Sequence, residues 1–395
     1  MVRRSEIEAA QTVPPLKITV PKKVRQVSSS PSLLSWSLSS SSAAAGHVCP
    51  GVWGGCLYMV LYYNKLASGE DSGSLHAGWI KESLARVLSE QPLLAGRLQK
   101  GDTIGGGGGE EEEEEEEVYV IVANDAGVRL VEARMPLTMS EFLLDLDSSK
   151  SNSTKKEAEA ELVFWKDVDD TDPQFCPLFY VQVTKFECGG YSFGISCSLL
   201  LADILLKENF LKKWADIHKN MLSKNGIPER PLFYLPSLKI APSSNVTNII
   251  NSEASKDCGQ TMIFNATYSN EDELITSTLA LLCVEEAMAK LGSKMALEFT
   301  FSYVKAPGNV VLLEKCSKHD QLAIKPDLNI KDRIKSATWD DFGMMELEFR
   351  KGNKPVRVSN WIGSVSNGLI MATPYYSEDR QDVPSGVKII VRVPN

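Results

Sequence analysis

The chain has 395 residues, enough for two domains of ordinary size, and its 43% hydrophobic and 24% charged content is that of a globular protein. The formal net charge of −9 rests on eight consecutive glutamates, Glu110 to Glu117, without which it would be −1. A near-neutral body without a basic face excludes a nucleic-acid binder, no polybasic cluster marks a membrane surface, and no apolar run is long enough for a transmembrane helix.

Other patterns narrow the setting. The N-terminus "MVRRSEIEAAQTVPPLKITV" lacks the apolar core of a secretory signal, so Asn-x-Thr at Asn245 and Asn265 reads as chance. Eight cysteines without a C-x-x-C pair fit a reduced, cytosolic compartment. His47, His76, His218 and His319 share no ligand spacing with them, so no metal is expected.

In chain order, Leu16, Ile18 and Val20 alternate within 14–27 like a short strand. A Ser-rich stretch over 28–46 is expected to be loose. "GVWGGCLYMVLYYNKL" reads as a buried strand, and 76–91 as a helix with Ile80, Leu84, Val87 and Leu88 on one face. The glycines before Glu110 resemble a phosphate cradle, but the carboxylates beside them would repel an anion, so 101–117 reads as a surface loop. "VYVIVANDAGVRLVEA" predicts a strand, a turn at "NDAG" and a second strand; "EFLLDL" predicts a short helix, and "SSKSNSTKKEAEAE" a polar connection. Two strands follow in "PLFYVQVTKFECGGYSFGISCSLL", joined at Cys188, Gly189 and Gly190. Beyond Asp203 the period turns helical, through Leu206, Phe210, Trp214, Ile217 and Met221. His218 reads as a boundary residue of that helix. Residues 226–258, rich in Pro, Ser and Asn, are the expected linker between 1–225 and 259–395. The second part predicts a helix over "DELITSTLALLCVEEAMAKLG", a strand over "MALEFTFSYV", a hairpin over "MMELEFRKGNKPVRVSNWIG" and strands over "GLIMATPYY" and "GVKIIVRVPN". In that hairpin Glu346, Glu348 and Arg350 are expected toward solvent, against Met345, Leu347 and Phe349. Strands interleaved with helices indicate an α/β (α+β) fold.

Several of these segments resemble one family. "IKESLARVLSEQPLLAGRLQ", "NDAGVRLVEA", "PLFYVQVTKFECGG" and "FLKKWADI" are similar, in the right order, to segments of the plant BAHD acyltransferases, which carry an HxxxD motif. The resemblance implies two chloramphenicol-acetyltransferase-like domains with a tunnel between them, an acyl-CoA co-substrate and no further cofactor. It also implies a small alcohol or amine acceptor and a cytoplasmic monomer. In such a site a neutral imidazole takes the acceptor's proton, and the aspartate holds the loop through an ion pair.

Asp203 matches that aspartate, but Leu199 stands where the histidine belongs. Leucine has no lone pair and cannot act as a base. Asp203 could itself serve as base with a pKa raised by burial. The family geometry favours the structural role, with an arginine of the second domain or the linker as its partner. Cys197 shares a strand face with Leu199 but has no activating neighbour in "ISCSLLLA", so it reads as a buried thiol. The family's DFGWG motif appears as "DFGMM", with Asp341, Phe342 and Gly343 retained as an architectural element on the cofactor side. No "YFGN"-like element precedes it, and the usual final helix is absent. Such departures also resemble the eceriferum/Glossy wax proteins, members that assist fatty-acid elongation without HxxxD chemistry. That resemblance implies a protein partner and an association with the endoplasmic reticulum.

Overall fold

The computed structural model describes residues 5–29, 54–65, 73–101, 119–149, 151–207, 209–223, 259–267, 273–305, 308, 310–317, 333–363, 365, 367–375 and 385–394. In chain order the regular elements begin with β1 (Glu6–Val13), β2 (Val24–Ser29), β3 (Cys56–Tyr63), α1 (Gly73–Leu88), β4 (Arg97–Lys100), β5 (Tyr119–Val122) and β6 (Val128–Met135). They continue with α2 (Met139–Ser148), α3 (Asn152–Glu159), β7 (Phe179–Phe186), β8 (Tyr191–Ser198), α4 (Ala202–Lys207) and α5 (Phe210–Ser223). The rest are β9 (Gln260–Thr267), α6 (Glu273–Leu291), β10 (Glu298–Lys305), β11 (Val310–Ser317), β12 (Ile334–Ala337), β13 (Arg357–Gly363), β14 (Leu369–Tyr375) and β15 (Gly386–Val393).

Among the described residues the strands form two mixed sheets. One has six strands in the order β1-β6-β7-β8-β3-β13, the other nine in the order β12-β9-β15-β14-β10-β11-β2-β5-β4. The fold is therefore the expected mixed α/β arrangement. The expected linker, 226–258, and both low-complexity loops (28–46 and 101–117) lie almost entirely outside the described residues. Strands cross between the halves of the chain: β2, β4 and β5 join the nine-stranded sheet, while β13 pairs with β3 in the six-stranded one.

Three apolar layers explain why the central strands are apolar on both faces. On β3, Leu57, Met59, Leu61 and Tyr63 face a core shared with α1, α5 and the inner face of the larger sheet. The alternate residues Tyr58, Val60 and Tyr62 face a second core with Phe142 and Trp165. Outside the nine-stranded sheet, α6 packs Leu279, Cys283 and Ala287 on Phe299, Phe301 and Ile389. Gly194 on β8 marks where the chain crosses the six-stranded sheet most closely: a Cβ there would lie 1.8 Å from the carbonyl oxygen of Leu162.

The expected strand at Cys56–Tyr63, the helix face of Ile80, Leu84, Val87 and Leu88, and the β7–β8 hairpin are all observed. Other expectations are corrected. Residues 14–23 form no strand, and Ile18 and Val20 are each 84% exposed; the strand begins at Val24. The strands flanking "NDAG" belong to different sheets, because the chain steps from one to the other there. The polar connection contains α3, started by the Ser151 hydroxyl accepting from Ser153 N. "EFLLDL" extends to α2, which a reciprocal capping box between Thr138 and Glu141 begins. The hairpin expected over 344–363 is reduced to a single bridge between Arg350 and Asn353. Met344–Glu346 is a 3-10 turn, Met345 is exposed, and β13 takes its partner from the other half of the chain. Tertiary pairing outweighed local alternation in each sheet error.

Candidate functional site

Strand β8 leads into the stretch with HxxxD spacing. Ser198 N donates to Leu178 O at 2.8 Å and Leu199 N to Gly55 O at 3.0 Å, so strand pairing holds the backbone to Leu199. The chain then turns. Leu201 N donates to Ser198 O at 2.9 Å, and Leu200 N to the Ser198 hydroxyl at 3.4 Å. Asp203 lies in the first turn of α4, where the helix dipole favours a negative charge. Leu199 is 2% exposed and packs in the central core with Cys197, Leu200 and Leu201.

Asp203 is held by a two-pronged ion pair. Arg25 Nη1 donates to Oδ1 at 2.6 Å and Nη2 to Oδ2 at 2.9 Å, and Nη1 also donates to Leu200 O at 3.0 Å. Both side chains are buried, at 3% and 4% exposure. The fork of the guanidinium matches both carboxylate oxygens, which a lysine cannot do. Arg25 is carried by β2, between β11 and β5, so the pair joins the larger sheet to the turn of the smaller one. The arginine expected from the second domain or the linker is thus an N-terminal residue. Strand parity is the signal that could have found it: Arg25 shares an inward face with Val27, opposite to the Leu16–Ile18–Val20 alternation.

Cys197 is fully buried. Burial, then the charge of Asp203, pushes its thiol well above the ordinary range, with Arg25 opposing. It is a thiol at neutral pH and no nucleophile. His218, expected at a boundary, is fully buried because α5 packs against α1. Its Nδ1 lies 3.0 Å from the Ser83 hydroxyl, which also accepts from Trp214 Nε1 at 3.0 Å. Burial, then the charge of Arg350, lowers its pKa to about 3, so the imidazole is neutral. His47 and His319 lie outside the described residues, as does the side chain of His76.

The "DFGMM" stretch begins on a 3-10 turn, Trp339–Phe342. Thr338 N donates to Asp341 Oδ2 at 2.8 Å, and Gly343 takes φ 68°, the left-handed conformation that glycine adopts without strain. The Phe342 ring is half-buried, with Lys388 Nζ 3.9 Å from its centroid; Asp341 and Gly343 are exposed. Met344, Leu347 and Phe349 then enter the same core as Leu199. Leu347 O accepts from the Tyr63 hydroxyl at 2.9 Å, and Phe349 packs against Phe193, Trp214 and His218. The structure therefore brings the Leu199–Leu201 turn and the Met344–Phe349 segment to one central core. Among the described residues no helix is long and apolar enough to cross a membrane.

Comparison with known proteins shows the family. Residues 16–296 match the model of the Transferase family. The protein ECERIFERUM 26-like of Arabidopsis thaliana is 30% identical over 180 residues, which are 44% of this chain and 38% of that protein. Vinorine synthase of Rauvolfia serpentina is 24% identical over 196 residues, 48% of this chain and 41% of that enzyme. The chain thus spans about two fifths of the length of these relatives. The crystal structure of vinorine synthase aligns over 99% of this chain and 95% of its own, with 14% identity and a TM-score of 0.46. The family model covers well over half of the sequence, and the chain belongs to the Transferase family, that of the plant BAHD acyltransferases.

Proposed function

We propose that this protein is a non-transferring member of its family: a binding or accessory protein that retains the acyl-CoA transferase scaffold without the general base. One observation carries the reading. Leu199, buried at 2% exposure, stands four residues before an otherwise braced Asp203. In acyl transfer the acceptor oxygen attacks the thioester carbonyl, its proton must leave to a base, and the CoA thiolate departs. Leucine takes no proton. Losing a general base costs roughly 10²–10⁴-fold in rate, about 3–5 kcal/mol. The neighbouring groups offer no replacement: Asp203 has both oxygens committed to Arg25, and Cys197 holds its proton. The ligands are an acyl-CoA and a small acceptor in the tunnel of the family fold, or a protein partner in lipid metabolism at the endoplasmic reticulum. The roles of Leu199, Asp203 and the Asp341–Phe342–Gly343 turn belong to this proposal.

The intact ion pair favours a second reading, slow transfer by positioning alone. Calorimetry with acetyl-CoA and a long-chain acyl-CoA, run beside an assay for released CoA, separates the two. Binding heat without CoA release is expected. Release by the wild-type protein would overturn the proposal, and no heat with either donor would leave only a protein-partner role. Leu199→His is expected to remain inactive. Its imidazole would be buried among Leu200 and Leu201, desolvated and unpositioned. Transfer by this variant alone would show that the missing base is all that separates the chain from a transferase.

A further inference from the structure

Residues 14–23 carry a feature that the proposed function leaves unused. The segment crosses the surface as a ridge without secondary structure, tied down along its length. Leu16 N donates to Ala85 O at 2.8 Å and Lys17 N to the Ser89 hydroxyl at 3.1 Å, fixing it to α1. Thr19 turns inward, its N–H and hydroxyl donating to the two carboxylate oxygens of Asp125 at 2.9 and 2.7 Å. Ala123 N donates to Lys23 O at 2.9 Å at the far end. With Thr19 drawn in, Ile18 and Val20 on either side project into solvent, each 84% exposed, and Val24 is 48% exposed at the strand entry. Lys17, Lys22 and Lys23 flank them, are themselves exposed, and form no ion pair among the described residues. Asp125 is occupied by Thr19, and Glu90 at the end of α1 lies 3.8 Å from Lys213.

We infer that this ridge docks the protein onto an anionic lipid bilayer, with Ile18 and Val20 entering the interface and the three lysines on the headgroups. Two aliphatic side chains held out by a pinned backbone have nothing to gain from water. Their surroundings select the partner. Lysine is depleted at protein–protein interfaces, whose anchors are aromatic residues and arginine seated in pockets, and residues 14–24 include neither residue type. Lysines beside protruding aliphatic residues suit a negatively charged membrane surface, where each cation adds attraction and the apolar tips bury. The chain carries a formal net charge of −9, eight charges of which are the glutamates at 110–117, so the three lysines attract the bilayer only locally. The lysines are too widely spaced in sequence to form a polybasic cluster. The outward projection of Ile18 and Val20 completes the surface. With so few anchors the binding is weak, reversible and weakened by salt.

The test is co-sedimentation of the full chain with phosphatidylcholine vesicles, with and without phosphatidylserine. The wild type is expected to pellet with the phosphatidylserine vesicles and to be released by salt. Ile18→Ser/Val20→Ser and Lys17→Glu/Lys22→Glu/Lys23→Glu are each expected to weaken binding by about fivefold or more. All five side chains are exposed, so thermal melts should match the wild type and exclude misfolding as the cause. No binding to phosphatidylserine vesicles, or equal binding by the variants, would overturn the inference. So would a concentration-dependent dimer that the serine variant abolishes, because the ridge would then serve a second copy of the chain.

Discussion

The turn that carries Asp203 and the turn that carries Asp341 each place a carboxylate at the start of a short helical turn, yet they are held in opposite ways. Asp203 is buried and gripped through both oxygens by Arg25, 178 residues away in sequence. Asp341 is exposed and accepts from Thr338 N, three residues away, while Gly343 reverses the chain through its backbone conformation. The Asp203 carboxylate is held by the joining of two sheets, the Asp341 carboxylate by a neighbour in its own turn. Two short turns can therefore be held for different physical reasons, and substitution should expose the difference.

The largest effect is expected at Asp203. Asp203→Asn leaves the Arg25 guanidinium buried without its counter-charge, and unfolding stability should fall by about 3–5 kcal/mol in urea denaturation. Arg25→Met combined with Asp203→Leu should recover part of that loss, since an apolar pair of similar volume avoids the desolvation of two charges. An unchanged denaturation midpoint for Asp203→Asn would remove the contrast between the turns.

Downstream of both turns Phe349 packs on His218, and acid should weaken that joint. The imidazole has a folded pKa of about 3 against an ordinary 6.5. The unfolded chain therefore takes up a proton below about pH 6.5 that the folded chain refuses until about pH 3. The stabilisation is full above the unfolded value and is lost as pH falls, by about 1.4 kcal/mol per pH unit within that window. His218→Leu should flatten the pH dependence of stability by that slope, measured against wild type from pH 7 to pH 4. Equal slopes would show that the imidazole reaches solvent.

The smallest effect is expected at Gly343. Alanine there must take a positive φ but meets nothing within 4 Å, so Gly343→Ala should cost about 1 kcal/mol, from backbone strain alone. A loss as large as that of Asp203→Asn would show that the exposed turn also depends on long-range packing.

Local and periodic features were legible in the sequence. The apolar run of β3, the 3.6-residue period of α1 and α5, the glycine turn of the β7–β8 hairpin and the four-residue spacing of Leu199 and Asp203 each lie within a few neighbouring residues. That leucine cannot act as a base also follows from the residue alone. Tertiary structure decided what depends on partners far along the chain. Arg25 meets Asp203 because β2 inserts between β11 and β5. His218 lies in the core because α5 packs against α1. The hairpin expected over 344–363 is reduced to a single bridge because β13 finds β3. Ile18 and Val20 face water because Thr19 turns toward Asp125. Residue type and spacing specify which face of an element is apolar, but the gain from burying that face is non-directional, so the partner it meets is settled only when the sheets assemble.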